Sequence, residues 1–267
     1  MSWWNGLWLN EAFATFMEML AVDAWKPEWK RWDSFGVSRA AAFSVDGLHS
    51  TRPIEYPVQA PKDADAMFDV LTYEKGASVL RMLEQHIGPM VFRDGVRDYL
   101  NAHAYGNADT NDLWVSLGKI AKEPVPELMD GWIFQPGYPL ITAELREGIE
   151  LVLTQQRFTY LPNPSPATWQ IPLKMRVAAG GKTNISRMLL TEKTTTVPLP
   201  RDWESVLINE EGHGFYRVRY SPDLLNRILS AGLDKLAATE RFNLINDAWA
   251  ITVAGLMPLT EYLDLTA

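Results

Sequence analysis

The spacing of apolar residues changes near residue 140, and this change limits the possible folds more than any other feature of the chain. Upstream, apolar residues recur every three or four positions, as on a predicted helix face formed by Leu9, Phe13, Phe16 and Leu20. Downstream, apolar and polar residues alternate, which predicts strands, and the helical spacing returns after residue 220. A chain that keeps helices and strands in separate segments is typical of a multidomain α + β protein.

We predict three domains: a helical domain over residues 1–139, a small antiparallel β-sandwich over 140–220, and the beginning of a second helical domain over 221–267. A Pro-Gly turn at residues 136–137 closes the first segment. In the second, Gly148 separates two alternating runs and predicts a hairpin, while Pro172 favours an edge strand or the start of a strand. The 267 residues suffice for two domains and part of a third.

Charge and residue content exclude several classes of protein. A net charge of -8 and a pI of about 5.1 argue against a nucleic-acid binder, because phosphate contacts need clustered Lys and Arg. No apolar run reaches the ~18 residues of a membrane span. We therefore predict no membrane segment and expect a cytoplasmic protein.

The chain has no cysteine, which excludes disulfides, thiol catalysis and Cys-ligated zinc. Any metal must therefore be held by His, Asp or Glu. The sequence has four histidines, and none has a second His four residues later, the spacing of a zinc-binding helix. We interpret all four as ordinary surface or core residues: His49, His86, His103 and His213.

Two segments carry a resemblance to a known family. The run "WWNGLWLNEAFATFME" resembles the zinc-ligand helix of the M1 zinc aminopeptidases, the aminopeptidase N group, in which the Glu of a W-L-N-E segment is the third zinc ligand. The run "VLTYEKGASVLRML" resembles the family segment whose tyrosine faces the metal. The resemblance implies that Glu11 is a metal ligand and that Tyr73 is a catalytic residue, the donor to the oxyanion. Two positions differ from the residues common in the family: Gly6 stands where an acidic residue is common, and Ala12 where Gly is common. Neither position supplies a metal ligand.

The resemblance continues through "LMDGWIFQPGYPL", "WQIPLKMRV" and "INEEGHGFYRVRYS" and so covers nearly the whole chain. It implies the helical part of a thermolysin-like catalytic domain, then a β-sandwich, then the start of a C-terminal helical domain. It also implies a metallopeptidase that uses one zinc ion to hydrolyse N-terminal residues from peptides with a free N-terminus. The sequence does not indicate an oligomeric state.

The H-E-x-x-H motif, which supplies two zinc ligands and the general base in that family, does not occur in this sequence. We therefore interpret the chain as a fragment that begins after this motif, with Met1 at a position where the family often has Met. A catalytic zinc site needs three protein ligands. We expect the isolated chain neither to retain zinc nor to hydrolyse peptides.

Other interpretations remain open at this point. One is an enzyme related to this family that hydrolyses an epoxide. Another is an inactive paralogue or a non-enzymatic interaction module. By residue type alone, an acid such as Glu11 is usually solvated and a lone tyrosine such as Tyr73 usually packs. Lys75 either orients the neighbours of Tyr73 or is a surface charge at a helix start, and we favour the surface charge. We expect the early tryptophans to pack in the core: Trp3, Trp4 and Trp8.

Overall fold

The computed structural model describes residues 2–267, so the interpretation of Met1 lies outside the described residues. The chain divides into two compact units. The helical unit comprises residues 1–46 and 50–137, and the sandwich unit comprises residues 47–49 and 138–267. The α + β fold class is confirmed, whereas the division into three domains stays a prediction.

The helical unit is built from α-helices joined by short turns, with one π-helical turn at Leu71–Lys75. Its helices are α1 (Leu7–Trp25), α2 (Arg31–Asp46), α3 (Pro61–Asp65), α4 (Gly76–Ile87), α5 (Pro89–Ala102), α6 (Thr110–Ala121) and α7 (Val125–Ile133). The sequence predicts a helix that starts on Pro89, and α5 begins there; a proline is tolerated because the first residue of a helix needs no N–H group. For α6, the sequence predicts Thr110 or Asn111 as the N-cap, whereas the structure has Asp109 in that position.

Helix α1 buries a face that overlaps the predicted one in part. Of the predicted residues, Leu9 is 6 % and Phe16 0 % exposed, whereas Phe13 and Leu20 are half-buried. Trp8 and Ala12, both 0 % exposed, complete the buried face. Apolar residues lie nearly all round this helix, so spacing alone did not fix its buried face.

The sandwich unit contains a four-stranded and a three-stranded sheet. Its elements are β1 (Pro139–Arg146), β2 (Glu150–Arg157), β3 (Ile171–Ala179), β4 (Lys182–Leu190), β5 (Thr194–Pro198), β6 (Trp203–Ile208), β7 (Arg217–Tyr220), α8 (Pro222–Ser230), α9 (Ala238–Val253) and α10 (Leu259–Thr266). The strand orders are β5-β2-β1-β7 and β4-β3-β6. The predicted β1–β2 hairpin forms, with Arg146 paired to Glu150 and a three-residue loop over 147–149 in which Glu147 and Gly148 adopt positive φ.

One feature of the sheets differs from expectation. Strand β7 pairs with β1 in parallel, although we predicted an antiparallel sandwich. Strand β3 is the central strand of its sheet, so of the two positions that Pro172 favoured, the start of a strand is confirmed. Pro172 is still tolerated because it lies at the start of β3, where β4 pairs with the strand but the β6 register begins only at Met175.

Two buried ionic groups connect the strands of this unit to α9. Arg217 of β7, 1 % exposed, contacts Asp247 at 2.8 Å, and the other oxygen of that carboxylate accepts the Val218 amide at 3.0 Å. The second group joins β3 to α9 and to the turn before β7. Arg176 of β3 contacts Glu210 of that turn at 3.1 Å and Glu240 of α9 at 2.8 Å.

The two carboxyls of this second group titrate differently. Burial, and then the charge of Glu240, raise the pKa of Glu210 to about 7 despite the opposing Arg176. Burial also opposes ionisation of Glu240, but hydrogen bonds from the amides of Glu211 and Ala237 outweigh it, so the pKa of Glu240 is lowered. Near neutral pH, Glu240 is the carboxylate and Glu210 is close to its titration midpoint.

Candidate active site

Glu11 and Tyr73, which lie on separate elements of the helical unit, meet in the structure. Glu11 projects from the second turn of α1, and Tyr73 lies in the middle of the π-helical turn. The Glu11 carboxylate lies close enough to the Tyr73 phenol to raise its pKa, both as a hydrogen-bond acceptor and through its charge. Both side chains are partly exposed. The pair is therefore accessible to solvent and to a ligand.

The environment keeps the Tyr73 phenol protonated. Burial contributes most to a raised pKa, followed by the hydrogen bond to Glu11 and the negative charge of that carboxylate. Glu74 has a raised pKa too, chiefly because of burial. At neutral pH, Tyr73 is therefore a neutral O–H donor.

The π-helical turn aims Tyr73 at α1. The Gly76 amide donates to the Leu71 carbonyl, five residues earlier, which is the bonding pattern of a π-helix. Asp69 holds the beginning of the turn, because its Oδ1 accepts the amides of Leu71 at 2.9 Å and Thr72 at 3.1 Å. Single π-turns of this kind are rare and occur frequently at functional sites.

Close packing of α4 against α1 brings the two residues together. A Cβ atom built on Gly76 would lie 2.5 Å from the Cβ of Ala12 and 3.4 Å from the Trp8 ring. No side chain fits there, so the two backbones can approach. Ala12 directly follows Glu11 and Gly76 follows Tyr73 by three residues, so this contact sets the distance between the two functional side chains.

A buried ion pair anchors the end of the π-helical turn. Lys75 and Asp46 are both 0 % exposed, and the Lys75 Nζ lies 2.7 Å from the Asp46 Oδ2. Lys75 also donates to the Gly137 carbonyl at 3.0 Å, while Asp46 accepts the Gly137 amide at 3.0 Å. Our interpretation of Lys75 as a surface charge is therefore wrong: its charge is paired inside the unit.

A carboxylate that the sequence did not single out fixes the start of α1. Glu55 accepts hydrogen bonds from Asn5 Nδ2 at 2.8 Å, from the Trp8 indole at 2.8 Å and from the Thr110 hydroxyl at 2.5 Å. The expected core packing is confirmed for Trp8. It is wrong for Trp3, 59 % exposed, and Trp4, 44 % exposed.

Residues 2–267 contain no group of three or more His, Cys, Asp or Glu side chains arranged to hold a metal ion. A catalytic zinc site takes three protein ligands and leaves one position open. Glu11 offers one carboxylate, so the described residues do not fit a zinc ion by themselves. The predicted roles of Glu11 and Tyr73 stay predictions.

Comparison with known families gives this geometry its context. The profile described as "Peptidase family M1 domain" matches residues 1–132, which include both Glu11 and Tyr73. These residues belong to the M1 peptidase family. The profile described as "ERAP1-like C-terminal domain" matches residues 205–267 of this M1 chain. The family resemblance drawn from the sequence is confirmed.

Several curated relatives carry peptidase names. The tricorn protease-interacting factor F2 of Thermoplasma volcanium is 38 % identical over 266 residues, 99 % of this M1 chain and 32 % of the relative. The leucyl aminopeptidase of Saccharolobus solfataricus is 37 % identical, with 98 % and 32 % covered. Aminopeptidase M1 of Arabidopsis thaliana is 35 % identical, with 99 % and 32 % covered. The chain thus spans about a third of the length of these relatives.

The structure also bears on the membrane prediction for this M1 chain. Over residues 2–267, every helix is too short or too polar to cross a lipid bilayer.

Proposed function

We propose that this chain is part of a zinc aminopeptidase of the M1 family, in which Glu11 is a metal ligand and Tyr73 donates a hydrogen bond to the oxyanion. The observation that supports the proposal best is the contact between the two side chains, made across α1 and the π-helical turn of an M1 domain. Three of the relatives cited above are named for aminopeptidase activity or for interaction with a protease.

Tyr73 suits the proposed role because its phenol stays neutral at the pH at which peptidases work. In a substrate complex, the phenol would exchange its bond to Glu11 for a bond to the carbonyl oxygen, on which negative charge develops. Loss of one such donor typically lowers kcat by about 100-fold to 1000-fold. Neither residue is locked in the interior, so this exchange needs no repacking of the unit.

Glu11 suits the role of ligand because its carboxylate is accessible and bound to a neutral donor rather than to a cation. The M1 family is generally zinc-dependent, and the zinc would polarise the scissile carbonyl. It would need two further ligands that residues 2–267 do not bring to Glu11. The H-E-x-x-H motif is absent from the sequence. We therefore propose that this chain alone retains no catalytic zinc and hydrolyses no peptide.

The proposed substrates are peptides with a free N-terminus. A cytoplasmic location stays a prediction. The alternative is an inactive paralogue or a non-enzymatic interaction module. Under that alternative, adding the missing zinc ligands would produce no peptidase activity.

The test has two stages. The purified chain is incubated with zinc and dialysed to remove free metal. The zinc that stays bound and the hydrolysis of an aminoacyl anilide are then measured, and we expect neither. It is then produced together with a segment that carries the H-E-x-x-H helix, and zinc binding and hydrolysis should both appear. Stoichiometric zinc on the chain alone would contradict the proposal.

Variants of the reconstituted protein separate the two roles. Glu11→Ala should lose zinc, whereas the matched control Glu18→Ala on the same helix should keep it. Tyr73→Phe should keep zinc but lose activity by about 100-fold to 1000-fold, and Tyr99→Phe should have no such effect. Full activity of the Tyr73→Phe protein would refute the assigned role.

A further inference from the structure

A cleft of about 370 Å³ lies in the sandwich unit, and none of the residues proposed for catalysis lines it. It is lined by the end of β2, by a proline-rich segment over residues 162–168, and by Lys193, Ala254 and Leu256. Ligand sites typically enclose about 300–1,000 Å³. The cleft is thus large enough for a small organic molecule.

The charge of this cleft is opposite to that of the chain. Two cationic residues line it, Arg157 and Lys193, and among the described residues no Asp or Glu does so. The chain as a whole carries a net charge of -8. A concave surface with one sign of charge attracts ligands of the opposite sign.

Within residues 2–267, the guanidinium of Arg157 has no protein acceptor: its Nε is buried without a hydrogen-bond partner, and Arg157 forms no ion pair. Two buried or half-buried arginines of the same unit differ in this respect, since Arg176 and Arg217 each contact a carboxylate at 2.8 Å. A buried polar group without a partner destabilises the free protein. The fork of a guanidinium matches a carboxylate or a phosphate, so an anionic ligand would satisfy it.

The proline-rich segment that lines the cleft is stiff. Pro162, Pro164 and Pro166 each fix φ and carry no N–H group. Two hydrogen bonds brace it further: just before the segment the Thr159 hydroxyl donates to the Leu161 carbonyl at 2.7 Å, and within it the Ala167 amide donates to Ser165 Oγ at 3.2 Å. The site is therefore formed before a ligand arrives, which lowers the entropic cost of binding.

The remaining lining is mixed. Several lining residues are polar, such as Gln156 and Asn163, whereas Phe158, 1 % exposed, and Ala254 and Leu256, which follow α9, are apolar. A ligand that fills the cleft would place its charged group on Arg157 and an apolar part against Leu256.

We propose that this cleft binds a small organic anion, with a carboxylate or phosphate group on Arg157 and an apolar group against Phe158 and Leu256. The site uses neither Glu11 nor Tyr73 and does not depend on the proposed peptidase activity.

The binding test uses this chain and three probes in isothermal titration calorimetry: N-acetyl-leucine, its neutral analogue N-acetyl-leucinamide, and inorganic phosphate. At least one anionic probe should bind 10-fold or more tightly than the neutral amide. Preference for N-acetyl-leucine identifies a carboxylate ligand, and preference for phosphate identifies a phosphate ligand. Equal binding of all three probes, or binding of none, would overturn the proposal.

Variants place the binding at the cleft. Arg157→Met should weaken anion binding at least 10-fold, and Arg157→Lys, which keeps the charge without the fork, should weaken it less. Arg187→Met is the matched control, because Arg187 is an exposed strand arginine outside the cleft. Equal losses in the Arg157→Met and Arg187→Met proteins would show non-specific attraction and refute the site.

Thermal unfolding without ligand separates a binding role from a structural one. Because Arg157 has no protein partner, the melting temperature of the Arg157→Met protein should equal or exceed that of the wild type. A lower melting temperature would identify Arg157 as a structural residue and count against the proposal. If the Met variant does not fold, the Lys variant is measured in the same two assays.

Discussion

The contact between Gly76 and Ala12 makes a prediction that can be worked out from the structure. In a Gly76→Ala protein, the new methyl carbon would lie 2.5 Å from the Ala12 Cβ, and neither atom can rotate away. Overpacking of this kind costs about 1–3 kcal/mol. Replacing glycine by alanine inside a helix recovers about 1 kcal/mol. We expect the free energy of unfolding to fall by about 1 kcal/mol, with displacement of the π-helical turn.

The partner substitution Ala12→Gly tests the origin of that loss. By itself it should cost about 1 kcal/mol of helix propensity and about 0.8 kcal/mol of methyl burial. In the double variant, α1 loses the methyl group of Ala12 and α4 gains one at position 76. The clash therefore disappears and the buried apolar area is restored. The double variant should therefore be nearly as stable as the wild type, with a favourable coupling energy of about 2–3 kcal/mol.

The assay is urea unfolding of the four proteins at one pH, followed by circular dichroism and extrapolated linearly to water. Tyr73 gives a second measurement, since its ¹³C-labelled ring should move away from Glu11 in the Gly76→Ala protein and return in the double variant. A coupling energy below about 0.5 kcal/mol would be within ordinary additivity. It would refute the claim that this contact sets the approach of α4 to α1.

Three further predictions concern charged groups. Glu11→Gln should lower the pKa of Tyr73, measured by ¹³C NMR titration of the labelled ring, because the hydrogen bond to a carboxylate and its charge both raise it; an unchanged pKa would mean that the two do not interact. Lys75→Met should destabilise the chain by about 3–5 kcal/mol in urea, because it leaves Asp46 buried without its cation, whereas Lys119→Met on the surface should cost under about 1 kcal/mol. The folded-state pKa of Glu210, about 7, exceeds that of an unfolded carboxyl, so the folded state binds the extra proton and stability should fall as pH rises from 5 to 7; Glu210→Gln should remove that slope, and an identical slope in the variant would contradict the assignment.

Local patterns in the sequence predicted the elements of the fold better than their arrangement. The spacing of apolar residues and the Pro and Gly signals predicted α1, α5 and the β1–β2 hairpin. They did not predict that β7 would pair in parallel with β1, because partners far apart in sequence leave no mark on local spacing. They also placed Lys75 at the surface, since a charged residue at a helix start is usually solvated and its partner Asp46 lies on another helix.

The candidate site was found through family resemblance rather than through residue physics. Taken alone, Glu11 has the pattern of a solvated acid and Tyr73 that of a packing residue. Only the fold shows that α1 and the π-helical turn bring them together. Arg157 gave no signal at all, because it ends an ordinary alternating strand and its missing partner is visible only in three dimensions.

The π-helical turn at Leu71–Lys75 allows the direction of the Tyr73 side chain to be set independently of the buried face of α4. In a regular helix, one would fix the other. An α-helix advances each residue by about 100° around its axis, so one extra residue in a turn rotates everything before it relative to everything after it. The buried side chains of α4, such as Val79 and Leu83, can therefore keep their apolar face while Tyr73 points in another direction. Deleting one residue from the turn would restore a continuous helix and a good core, yet it would turn the phenol away from Glu11. Length at this position, more than residue identity, is what a search for active members of such a family ought to compare.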